Sequence, residues 1–157
     1  MFETILLWLF VIFSGIAVGA GLYEMRIVVP QWFSRTQESR IQINTERMRK
    51  IDAGRRFWVY VTTVPLTLLT LASLPVAWQS ESPGHEWWLI AALVTLAERI
   101  GTLSYFIPRG LTLMRADTLP PAKAEAVARQ WMTLNRIRGA LALVGWLAAL
   151  KALSLPS

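Results

Sequence analysis

The run ILLWLFVIFSGIAVGAGLYEMRIVV, Ile5–Val29, decides the fold. It exceeds the ~20 residues that carry a helix across a bilayer. It is almost wholly apolar until Glu24 and Arg26, just before Pro30. Three comparable runs follow at about Phe57–Trp78, Trp87–Ile107 and Trp131–Leu153, with polar helix leading into the last from Pro121. Proline cannot continue a helix comfortably, so Pro30, Pro75 and Pro108 are expected to end the first three runs. Pro65 is expected to kink the second. Residues 1–157 therefore read as a single all-α domain, an integral membrane antiparallel four-helix bundle with four spans and short connections. No internal repeat is evident.

Composition agrees. Apolar residues make up 54% of 157, and there are eight tryptophans, a residue that favours the headgroup interface. The start, MFETILLWLF, has no basic residue, carries Glu3 and opens too long an apolar run for a signal peptide, so it reads as a retained first helix. The absence of cysteine excludes disulfides, thiolate metal sites and a thiol nucleophile.

The net charge of +6 does not point to nucleic acid. Its basic residues cluster in two loops beside apolar spans, with no recognition helix or aromatic-interleaved basic strand. Arg35, Arg40, Arg47, Arg49, Lys50, Arg55 and Arg56 lie between spans one and two, and Arg109, Arg115, Lys123 and Arg129 between spans three and four. The remaining loop, QSESPGHEWW, holds Glu81 and Glu86 and no Lys or Arg. Positive charge stays cytoplasmic, so both basic loops are expected in the cytoplasm, both termini outside it, and the chain in a bacterial inner membrane. The segment Gln31–Asp52 mixes Ile41, Ile43, Met48 and Ile51 with charges. It reads either as a solvated loop or helix extension, or as an amphipathic helix on an anionic leaflet.

Each span carries a polar stripe at helical spacing. These are Tyr23 and Arg26 with Gly19 in the first, and Arg56, Tyr60, Thr63, Thr67 and Thr70 in the second. The third has Glu98, Thr102, Tyr105 and Arg109, and the fourth Trp131, Asn135 and Arg138. Counted inward from the basic loops, Glu24, Tyr60 and Asn135 lie about one turn deep, and Glu98, Arg99 and Arg138 about two. Intramembrane charge faces protein or a water-filled cavity, so these groups are expected to line a pocket open to the cytoplasm. Glu98 and Arg138 are the first expected ion pair, and Glu24 is expected to pair with Arg99 or Arg26. Two carboxylates against three guanidiniums leave a positive charge, which suits an anion, an enolate or a phenol-like ligand. Glu24, Glu98 and Arg138 are the candidate catalytic groups; Tyr60, Arg99, Tyr105, Trp131 and Asn135 are the candidate substrate contacts.

A purely structural reading stands beside this one. Buried ion pairs can fix helix register, Arg26 and Arg109 can snorkel, and threonines can bond back to their own helix. Gly15 and Gly19 have GxxxG spacing, which permits close helix approach within the chain or between chains. The single histidine, His85, has no second histidine to form a haem or metal site. A carboxylate metal site at Glu24 and Glu98 is disfavoured by the arginines. No GxGxxG, Walker or GxSxG motif appears. Catalysis here would be general acid–base work by Glu, Tyr and Arg without a cofactor.

The segments GLYE followed by VVP at the end of span one, FIPRGLTLM after span three and RQWMTLNRIRGAL entering span four resemble the anthrone-oxygenase-like family, much of it a domain of unknown function. The resemblance covers nearly the whole chain and is most specific at Trp131, Asn135 and Arg138. It implies a cofactor-independent monooxygenase that oxidises an anthrone to an anthraquinone with dioxygen. Glu24 or Glu98 would then be the base, and Arg138, Asn135 and Tyr60 would stabilise the enolate. Two other classes compete. One is a non-catalytic membrane subunit, in a homo-oligomer or a larger membrane complex. The other is a small transporter or lipid-binding protein. The expected partners are the lipid bilayer and an apolar aromatic small molecule, not nucleic acid.

Overall fold

A computed structural model describes residues 1–37 and 40–155; residues 38 and 39 of the first basic segment, and 156 and 157, lie outside the described residues. The protein is an all-α bundle of four helices long and apolar enough to cross a membrane: Phe2–Trp32, Gly54–Gln79, His85–Leu113 and Pro121–Ser154. The first span packs on the second and fourth, and the third on the same two. End-to-end contacts give the directions. Ser80 donates to Glu3 at 2.8 Å at one end, and Trp58 donates to Glu24 at 2.9 Å at the other, so spans one and two are antiparallel. Gly84 lies against the Ala152 carbonyl and Gly145 against Thr95, so spans three and four are antiparallel too. Large apolar side chains such as Ile12, Leu68, Leu93 and Leu147 are exposed on the outer faces. That pattern suits helices solvated by acyl chains.

The half of the bundle away from the basic loops is closed by small residues. Ala77, Ala91, Ala148, Ala149 and Ala152 are buried among Leu6, Phe10, Leu66 and Trp88. A Cβ on Gly84 would collide with the backbone carbonyl of Ala152, so only glycine allows that approach. Within the chain the GxxxG pair is not used as a unit. Gly15 sits under the Trp146 indole, while Gly19 has open space where a Cβ would point.

The prolines do not end the helices. The first span continues past Pro30 to Trp32 and the third past Pro108 to Leu113, while Pro75 lies inside the helix that runs to Gln79. The chain solves the proline problem by widening the preceding turn. Glu24–Val28, Gly54–Thr63 and Thr102–Phe106 are π-helical, each ending two residues before a proline, Pro30, Pro65 and Pro108. Proline lacks an N–H and its ring clashes with the carbonyl four residues back. Bonding i to i+5 moves that carbonyl aside. All three π turns belong to the half of the bundle nearer the basic loops.

The first basic segment folds into neither expected form alone. Phe33–Arg35 and Ile41–Ile43 form a short antiparallel hairpin in the register Phe33↔Ile43, Ser34↔Gln42, Arg35↔Ile41. A helix, Thr45–Ile51, follows. Asn44 caps it by accepting the Arg47 N–H at 2.9 Å. Asp52 ends it in the left-handed region at φ 41°, its carboxylate 3.1 Å from Arg55. Arg49 reaches across to Asp117 and to the Met114 carbonyl, both at 3.2 Å, tying the two basic segments together. Met48 is buried with Trp32, Phe33, Leu113, Val127 and Trp131 in a second apolar cluster. The charged residues of the bundle lie between the two clusters.

Candidate functional site

The site grows from Glu24, which the first π turn points inward. Its Oε1 accepts the indole N–H of Trp58 at 2.9 Å. Its Oε2 lies 3.9 Å from an Nη2 of Arg138. On the other side of Arg138, Nε is 3.9 Å from Glu98 Oε1. Arg138 therefore stands between two carboxylates at distances too long for direct hydrogen bonds. Phe106 covers its guanidinium, 4.7 Å from the ring centroid, in cation–π geometry.

Glu98 is more tightly held. Arg99, its chain neighbour, meets Oε2 through both Nε and Nη2, and Thr102 donates to Oε1 at 3.0 Å. The nearest partner of Glu98 is thus Arg99 and not Arg138. Glu24 pairs with Arg138 and Trp58 and with neither Arg99 nor Arg26. Arg26 is exposed, because two residues along a helix the side chain points away from Glu24. The expected charge surplus disappears with it. Glu24 and Glu98 balance Arg99 and Arg138, and the buried layer is formally neutral.

Several polar atoms around this layer have no hydrogen-bond partner among the described residues. They include Arg99 Nη1, Asn135 Oδ1, Tyr105 Oη and Trp131 Nε1. Asn135 is 1% exposed and spends its Nδ2 on the sulfur of Met25 at 2.8 Å. Tyr105 stands edge-on to Phe106, with Arg109 5.8 Å from the centre of its ring. Trp131 packs in the basic-side cluster, 6.0 to 6.4 Å from Phe33, Trp32 and Phe106. Tyr60 is not brought in. It is 74% exposed on the outer face of its span. The 3.6-residue count that placed Tyr60 beside Thr63 and Thr70 fails because Gly54–Thr63 turns more slowly. Thr62, Thr67 and Thr70 return their hydroxyls to carbonyls of their own helix.

The void beside Glu98 and Arg99, lined also by Ser14, Ala17, Leu66, Thr95 and Ala142, holds about 10 Å³. That is room for about one water and not for an aromatic ring. Trp58, Phe106 and Met25 were not singled out from the sequence. A tryptophan one turn inside a basic helix start reads as an interface anchor, and only tertiary contact shows what its N–H does.

Depth follows from length and from the outer faces. The α-helical part of the first span, Phe2–Tyr23, has 22 residues. At ~1.5 Å per residue that is about 33 Å, close to the ~30 Å hydrocarbon thickness. Along the fourth span the exposed residues change from Lys123, Arg129, Gln130, Thr133 and Arg136 to Ile137, Leu141, Val144 and Leu147. Arg138 thus stands where the outer face of the fourth span turns from polar to apolar.

Neither a protein-family model, nor a curated protein, nor a solved structure matches this chain.

Proposed function

We propose that this chain is a small membrane enzyme that does acid–base chemistry at the Glu24–Arg138–Glu98 layer, on a planar phenolic substrate of the anthrone type that the sequence resemblance implies. The supporting observation is unused hydrogen-bonding capacity. An ionic layer that served only to fix helix register would gain from saturating its polar atoms, because each buried unpaired group costs about 1–3 kcal/mol. Here Arg99, Asn135 and Tyr105 each keep one such atom, next to an arginine held loosely by two carboxylates.

The two carboxylates divide the work. Glu98 is committed to Arg99 and Thr102 and is a poor base. Glu24 has one neutral donor and one distant guanidinium, so it takes the proton. Arg138 and Asn135 face the oxyanion that forms. For an anthrone, the resulting enolate gives electrons directly to dioxygen. One oxygen atom becomes the new ring carbonyl, and the other leaves as water with the two ring-carbon hydrogens. The balance is anthrone plus dioxygen to anthraquinone plus water. In this reading the chemistry faces the cytoplasm of a bacterial inner membrane, an orientation that the positive charge of the two loops supports.

One observation favours a second reading, a non-catalytic subunit of a larger membrane complex: the interior void of about 10 Å³ admits no substrate as it stands. Oxygen uptake by purified protein with anthrones in detergent separates the two. Uptake with matching anthraquinone formation, reduced at least 100-fold in Glu24→Gln and in Arg138→Met, is the enzyme's signature. Uptake no faster than buffer, with both variants as stable as the parent, would move the assignment to the subunit.

A further inference from the structure

We infer that Trp58 and Phe106 occupy the place of the ligand, and that a planar aromatic molecule bearing one hydrogen-bond donor enters from the bilayer between the second and third spans and displaces them. The inference rests on the Glu24–Arg138–Glu98 layer as the working site, and it is independent of the reaction run there.

The packing of the second span supplies the entrance. Its straight part, Val64–Gln79, packs along the third span, whereas its π-helical part, Gly54–Thr63, packs chiefly on the first. The two middle spans therefore part toward the basic end. In this part of the two spans Phe57 and Tyr60, and Leu103 and Ile107, are exposed. Arg138 is the most exposed member of the ionic layer. Its side chain is 19% exposed, against 4% for Glu98 and 8% for Glu24.

The chemistry of the ligand is written in what now fills the seam. Glu24 receives an N–H from the edge of an aromatic ring system, Trp58. Arg138 receives the face of a second ring, Phe106. A flat aromatic with a phenolic O–H supplies both contacts in one molecule. Tyr105 Oη and Asn135 Oδ1, unpartnered among the described residues, then have a polar edge to meet. Both displaced rings sit on π turns that end two residues before Pro65 and Pro108. Such turns have lost regular i to i+4 bonding, and they yield more readily than the straight helices behind them.

The test uses 1-naphthol and naphthalene with full-length protein in detergent, read by thermal unfolding and by the Trp58 indole N–H resonance in a ¹⁵N-indole spectrum assigned with Trp58→Phe. The expected result has three parts. Naphthol stabilises the protein more than naphthalene does, and it shifts the Trp58 resonance. Trp58→Phe, which keeps a ring but frees Glu24, binds naphthol about three- to tenfold more tightly, the range of one exchanged neutral hydrogen bond. Glu24→Gln binds both compounds alike. An unmoved Trp58 resonance, unchanged affinity in Trp58→Phe, or naphthalene binding equal to naphthol in the parent would each overturn the inference. Should Trp58→Phe not fold, Phe106→Leu takes its place; removing the ring that competes with naphthol for Arg138 is expected to raise affinity over the same range. Naphthol binding in this pattern without oxygen uptake on any anthrone sinks the proposed reaction and leaves the site standing. Uptake with an unmoved Trp58 does the reverse.

Discussion

The two halves of the bundle are built on opposite principles. Away from the basic loops, straight helices meet through alanine and glycine, with Gly84 against the Ala152 carbonyl and Gly145 against Thr95. Close backbone approach makes that half a tight scaffold. Toward the basic loops three of the four helices are π-wound, and the contacts are aromatic or ionic. The first half fixes where the helices are. The second can change what they touch. Substitutions in the first half should therefore change stability alone, and those in the second should change binding as well.

The largest effect is expected from Arg138→Met, which strips Glu24 of the one guanidinium paired with it among the described residues. Removing one partner of a buried ion pair costs about 3–5 kcal/mol. Adding Glu24→Leu should return much of that loss, and a double variant no more stable than the single one would break the picture of a coupled layer. Next comes Gly84→Ala, whose methyl has no space against a backbone carbonyl; about 1–3 kcal/mol is expected. Gly19→Ala, in open space, is the control that should leave the unfolding temperature unchanged. Pro108→Ala sharpens the comparison differently. It should let Thr102–Phe106 relax toward α-helix, shift unfolding by no more than ~1 kcal/mol, and weaken naphthol binding about tenfold, ~1.4 kcal/mol. A stability loss as large as that of Gly84→Ala would show that the π turn belongs to the scaffold. The smallest effect, about 1 kcal/mol and confined to Thr45–Ile51, is expected for Asn44→Ala, seen as faster hydrogen exchange in that helix alone.

Much of the scaffold half was legible because hydropathy and length are all a spanning helix needs. Glu24, Glu98, Arg99, Asn135 and Arg138 were also legible as a group, since buried charge in a span must find company. Their pairing was not. Glu98 takes its own neighbour Arg99, and Arg26 leaves the interior altogether. Tyr60 was misplaced because face counting assumes 3.6 residues per turn, and a π turn breaks phase without any mark except the proline that follows it. The hairpin escaped notice because FSR and IQI are too short to show alternation. Trp58 and Phe106 look like ordinary interface aromatics until their partners are seen.

Arg138 also has a consequence for how the protein is made. Glu24 is synthesised in the first span, and Arg138 arrives only with the fourth. Until then Trp58, which comes with the second span, is the side-chain donor that Glu24 has among the described residues. The ionic layer is thus a closing clasp, set by the last segment to enter the membrane. A chain stopped before Arg138 would leave the Glu24 carboxylate without that counter-charge between its helices.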